Sequence, residues 1–128
     1  MFRAQRADTK EWVEGYIARV HRRNEKGEIE SYFFNALDEL GWSYECIVSA
    51  KTVCQYTGLT DKNGVKIFEG DILSFSAYGE NYKGDVRFIK GNFTIWCGKC
   101  APFLDDALEK HSAIVIGKIF DNPEILNQ

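Results

Sequence analysis

Near its start the chain shows a period of two. Trp12, Glu14, Tyr16, Ala18 and Val20 alternate with Glu11, Val13, Gly15, Ile17 and Arg19, which predicts a strand. Apolar residues fall in both sets, so this strand is expected to be partly covered on both faces. "FRAQ" at residues 2–5 reads as a shorter strand, and "RADTK" between the two has the composition of a tight reversal, giving a hairpin. Residues 21–30 are polar and turn-like around "NEKG". Residues 29–37 and 43–50 then read as a second strand pair. The stretch "SYFFNALDELGW" also fits a short helix with Phe33, Leu37 and Leu40 on one side, and the pattern alone leaves both open.

The second half is punctuated by glycine. "TDKNG" is a hairpin turn, with Asn63-Gly64 expected to supply the positive backbone angles. In "VKIFEGDILSF" the apolar residues change face across Glu69-Gly70-Asp71, as at a kinked or bulged strand that turns a corner at Gly70, with Asp71 capping the turn. "DVRFIK" and "FTIWC" form a hairpin about a two-residue turn placed at Gly91-Asn92. "FLDDALEK" reads as a helical turn with its acids at the favourable N-terminal end, and "AIVIGKIF" as a buried strand. About eight short strands at roughly ten-residue spacing predict a mainly β fold, a barrel being favoured over an open sheet. The expected division is a β-rich arm over 1–54 and a barrel domain over 55–128.

Composition narrows the function classes. The chain has 128 residues, 14% of them aromatic, and a net charge of −3 that neither half concentrates. A dedicated duplex binder would carry a basic excess, because neutralised phosphates supply most non-specific affinity. No apolar run approaches the roughly 20 residues of a membrane helix. "MFRAQRADTK" has charges where a secretion signal has its apolar core, so a cytoplasmic location and no membrane partner are expected. In that compartment Cys46, Cys54, Cys97 and Cys100 are expected as free thiols or metal ligands rather than disulfides.

Several stretches invite chemistry. The glycines at Gly58, Gly64 and Gly70 are followed by strand-like residues and no "GK[ST]", so they do not form a phosphate loop. Setting Gly64 as the invariant glycine of a calcium loop puts Leu59 first and Gly70 last, which leaves no ligands there. Asn63, Gly64, Gly70 and Asp71 are therefore read as structural turn residues. "CGKC" places Cys97 and Cys100 at the spacing of half a tetrahedral zinc site, with no second close pair elsewhere. The plain alternative is two ordinary thiols at a strand end. Arg19, His21, Arg22, Arg23 and Lys26 form a basic run interrupted by acids, expected as a solvated strand end. No nucleophile stands in a recognisable catalytic context, and no enzyme or catalytic residue is expected.

"QYTGLTDKNGVKIFEGDIL", the "GDVRF…GNF" hairpin, "IGKIFDNPEIL" at 116–126 and the opening "FRAQ…TKEWVEGYI" together resemble the YopX family of small phage and prophage proteins. The resemblance implies an SH3-type small β-barrel with an N-terminal β-hairpin extension, of unknown biochemical function. It carries over no catalytic or ligand residues, and the cysteines lie outside its pattern. The expectation is a non-enzymatic module that binds a phage or host protein, or itself, through Trp12, Tyr16, Tyr32, Phe33 and Phe34. Those rings exceed what a small hairpin can bury alone. A nucleic-acid-binding module and a zinc-stabilised one are the alternatives, and no other cofactor is expected.

Overall fold

The computed structural model describes residues 1–37, 43–98 and 100–127, with side chains at 17–22, 32–37 and 43–45 left aside. The chain divides into two compact units, Met1–Gln55 and Tyr56–Gln128.

The first unit is an antiparallel meander of β1 (Phe2–Gln5), β2 (Trp12–Arg23), β3 (Ile29–Leu37) and β4 (Ser43–Ser49), in the order β4-β3-β2-β1. The first two residues of β5 (Cys54–Thr60) pair with Phe2 and Arg3 along the free side of β1. Strand β2 runs on through Arg23, further than its polar sequence predicts. The reversal is confined to Asn24–Glu28, where Asn24 Oδ1 accepts from the Lys26 and Glu28 amides at 2.9 and 3.0 Å. Residues 31–37 are strand, not helix, because β2 and β4 both offer ladder partners to them. The turn or helical turn expected at 38–42 lies outside the described residues. Ala4 and Val13 face each other across β1 and β2 and are buried with Cys46 and Val48. Thr52 pins the strand exit, accepting from Gln5 N at 2.8 Å and donating to Ser49 O at 2.7 Å.

In the second unit the remainder of β5 pairs with β6 (Lys66–Phe68). Strands β7 (Asp71–Ala77), β8 (Glu80–Ile89), β9 (Asn92–Trp96) and β10 (Ile114–Lys118) form an antiparallel sheet ordered β10-β7-β8-β9. This sheet is open: no pairing among the described residues closes the barrel that strand spacing predicts. The outer edge of β9 is instead taken by residues 102 and 103, through Ile95 N to Pro102 O at 3.0 Å and the Thr94–Phe103 bridge.

The core lies on the sheet face that carries Leu73, Phe75, Val86 and Ile95. Helix α1 (Leu104–His111) covers it with Leu104, Ala107 and Leu108, an i, i+3, i+4 stripe. Each fully buried aliphatic side chain here contributes on the order of 1.5–3 kcal/mol relative to exposure. Asp105 and Asp106 sit in the first turn of α1, Lys110 and His111 in the last, as the helix dipole favours. Ser112 ends the helix in the left-handed region at φ 50°.

The turns place the remaining predicted residues. Gly64 has φ 78°, whereas Asn63 has no positive φ, so the loop is a single turn closed by a left-handed glycine and not an Asn-Gly pair. Asp61 organises it: Oδ1 accepts from Asn63 N at 2.9 Å and Val65 N at 3.0 Å, and Oδ2 from Val115 N on β10 at 3.0 Å. Gly70, at φ 85°, donates to Val86 O and accepts from Ile119 N, and buried Asp71 accepts from Phe68 N at 2.8 Å. The β8–β9 turn is Lys90-Gly91 (φ 51° and 84°) rather than Gly91-Asn92. Two successive positive φ values are what a tight hairpin twist requires.

Candidate functional site

The Lys90-Gly91 turn fixes which side chains meet. It sets Asp85 opposite Trp96, Arg87 opposite Thr94 and Phe88 opposite Phe93. Because side chains alternate along a strand, Asp85, Arg87, Thr94 and Trp96 share one face. The Arg87 guanidinium grips the Asp85 carboxylate through both oxygens, at 2.8 and 3.3 Å, and lies 5.0 Å from the centre of the Trp96 ring. Asp85 is buried, while Trp96 is 41% exposed. The result is a guanidinium over a partly exposed ring, with its charge answered by Asp85. Gly84 makes it possible, since a Cβ there would run into the Trp96 carbonyl. Nearby, exposed Phe88 meets Phe93 at 4.9 Å, and Phe103 is also half exposed.

At the far end of β7 and β8, the Tyr78-Gly79 turn (φ 53° and 78°) holds the Tyr78 ring 94% exposed. Tyr78 leads into a row of rings: His111 at 6.2 Å, Phe75 6.0 Å beyond it, and Tyr82 stacked on Phe75 at 5.4 Å. The Tyr82 hydroxyl donates to Glu80 at 3.1 Å, and that hydrogen bond is the main reason its pKa is raised.

Cys97 and Cys100 follow directly after Trp96. Cys97 N donates to Cys100 O at 2.9 Å, and Gly98 next to Cys97 has φ 86°. Burial, then a hydrogen bond to Cys100, pushes the Cys97 thiol up to about 12. Cys97 packs against the core, and Cys100 is exposed. Among the described residues no group of three or more His, Cys, Asp or Glu side chains comes together as a metal site, so this pair has no third ligand there.

In the first unit, Arg3 lies over the half-buried Trp12 ring at 4.9 Å, and Tyr16 is 47% exposed. The backbones of Tyr32, Phe33 and Phe34 pair with Arg19, Ile17 and Tyr16, while their side chains lie outside the described residues. A cleft of about 640 Å³ at the strand-turn end is lined by Asp8, Lys10, Arg23 and Lys26 among others. Asp8 there is paired with Arg6 at 2.8 Å, and Arg23 donates to Gly27 O at 2.9 Å.

The arm aromatics and the cysteines were legible as residue types. Asp85–Arg87–Trp96 and Tyr78 carry no sequence signal of their own, and the first becomes visible only through the turn: pairing backwards from Lys90-Gly91 sets Asp85 against Trp96. No helix among the described residues is long and apolar enough to cross a membrane.

These features define a small, mainly β protein of two units, with exposed aromatic rings ordered by neighbouring polar groups. The family model described as YopX protein matches residues 1–127, and the chain belongs to the YopX family. The crystal structure of protein EF1440 from Enterococcus faecalis is similar, with 26% identity and a TM-score of 0.52 over 98% of this chain and 96% of that one. No curated protein matches the chain.

Proposed function

We propose that the chain is a non-enzymatic accessory module of phage or prophage origin. In this reading it acts in the bacterial cytoplasm and binds a protein partner, a second copy of itself in the first instance. We take the second unit as an SH3-type β fold and the first as its β extension. The observation that carries the reading is the Asp85–Arg87–Trp96 stack. Trp and Arg concentrate binding energy at interfaces, and here the arginine is already ordered before a partner arrives, which lowers the entropic cost of association. Its charge is answered by Asp85, so the patch has little to attract a highly charged partner. An identical, equally compensated surface suits it.

The test is the native mass of the purified protein alongside Trp96→Asp and Trp12→Asp, with folding checked by circular dichroism. A dimer that becomes a monomer on Trp96→Asp or on Trp12→Asp supports the reading and says which unit carries the contact. A wild-type monomer overturns self-association. Retention of the wild type on DNA or RNA at low salt would favour the nucleic-acid alternative, with Trp96 stacking on a base. The net charge of −3 weighs against that outcome. A zinc-stabilised module would need further ligands for Cys97 and Cys100, which the described residues do not bring to them.

A further inference from the structure

We propose that Cys97 and Cys100 form a site of reversible thiol oxidation, closing a disulfide between themselves when the protein meets a small disulfide oxidant. The register carries the inference. The Thr94–Phe103 bridge, Ile95 N to Pro102 O and Cys97 N to Cys100 O are successive steps of one antiparallel pairing. Cys97 and Cys100 are thus directly opposite each other and point to the same side. Residues so paired lie about 5.5 Å apart at Cα, inside the roughly 4.4–6.8 Å that disulfides span. The Cβ atoms of a hydrogen-bonded pair lie toward the long end of about 4.5–5.5 Å, and a disulfide holds them at about 3.5–4.5 Å, so the hairpin must draw in by about 1 Å for the bond to form. The site is complete within one chain, which a tetrahedral metal site made from the same two sulfurs is not.

The two thiols differ in the way the reaction needs. Cys100 is exposed and meets the oxidant, whereas Cys97 packs against the core behind it. In the first step the Cys100 thiolate attacks one sulfur of glutathione disulfide. A mixed disulfide forms on Cys100, and one glutathione leaves and takes up the proton that Cys100 lost. In the second step Cys97 gives up its proton and attacks the Cys100 sulfur, releasing the second glutathione as a thiol. Two protein thiols are oxidised and one disulfide is reduced to two thiols. The second step is the slow one, since burial and the Cys100 contact hold Cys97 protonated. Cys46 and Cys54 are both buried and serve as internal comparators.

The experiment incubates the full chain with glutathione disulfide, quenches with an alkylating agent, and reads intact mass and a peptide map. The expected wild-type product has lost two hydrogens, links Cys97 to Cys100, and returns to the starting mass with dithiothreitol. Cys97→Ser should stop at one glutathione adduct on Cys100, and Cys100→Ser should stay unmodified at Cys97. A wild type that ends as a stable glutathione adduct, that remains fully reduced, or that is linked through Cys46 or Cys54 would overturn the proposal. Serine is close enough to cysteine in size that both variants keep the hairpin, and circular dichroism checks it.

Discussion

Asp61 shows how much one carboxylate can organise. A buried side chain accepts three backbone amides, two within its own turn and one from β10 fifty-four residues further on. Burial works to raise its pKa, but the Val115, Val65 and Asn63 amides, with the Lys62 charge, outweigh it, and the net shift is downward. The sign of the linkage follows. A carboxylate depressed in the folded state contributes stability that is fully present above its unfolded value and lost as pH falls through the folded one. Asp61→Ala should therefore cost about 3 kcal/mol in urea unfolding at neutral pH, since hydrogen bonds to a charged group contribute roughly 1.5–3 kcal/mol each and do not add fully. The deficit should shrink as pH falls below the ordinary carboxylate range. Asp61→Asn should share part of the loss, because its NH₂ cannot accept from Val115, and its deficit should narrow in the same way, since neither variant titrates at position 61. An unchanged midpoint for both variants would mean that the three amides find other partners. Gly84→Ala tests a different constraint, the close approach of the Trp96 carbonyl. It should destabilise by about 1–3 kcal/mol, as overpacking does, and should alter the Trp96 environment seen by fluorescence.

At the scale of elements, the turns decide more than the strands. Ser112 and Lys90 hold left-handed φ values of 50° and 51° without being glycine. Ser112→Gly should stabilise the protein by roughly 0.5–1 kcal/mol, because glycine enters that region without a Cβ penalty, and a higher thermal midpoint would register it. A lower midpoint would show that the Ser112 side chain matters more than its backbone. The same turns mark where the sequence could and could not be read. Strand existence was legible from alternation and β-branched or aromatic runs, as in β2, β7, β8 and β10. Register was not. Moving the β8–β9 turn by one residue, from Gly91-Asn92 to Lys90-Gly91, changes which residue faces Trp96. A lysine at positive φ gives no warning of that. The barrel was expected because spacing counts strands without saying which edges meet. Residues 102 and 103 occupy the β9 edge although they carry no strand signal, and Pro102 fits there because it only accepts, from Ile95 N. The candidate surface depended on that register, so only its residue types were available in advance, not their juxtaposition.

For the molecule as a whole, the question is what kind of partner a chain of net charge −3 with exposed aromatic rings can hold. Ionic strength separates the candidates. Exposed charges farther apart than the Debye length, about 10 Å at 0.1 M salt, barely interact, and the one arginine in the proposed contact is already paired with Asp85 at 2.8 Å. Association through Trp96 is then mainly burial of apolar surface, which salt does not weaken. Self-association should change by less than about threefold between about 50 and 500 mM salt, since there is little charge to screen. A nucleic-acid complex that neutralised several phosphates would lose orders of magnitude over the same range, as condensed counterions return. Asp85→Asn sharpens the comparison. It leaves Arg87 without its countercharge, so like charges would face each other in a symmetric pair. The dimer should weaken most at low salt and recover as salt rises, the reverse of nucleic-acid binding, which the same substitution should strengthen. Sedimentation across the salt series, with and without an oligonucleotide, reads both slopes. A wild-type dimer that dissolves at high salt would place the contact on charged residues away from Trp96.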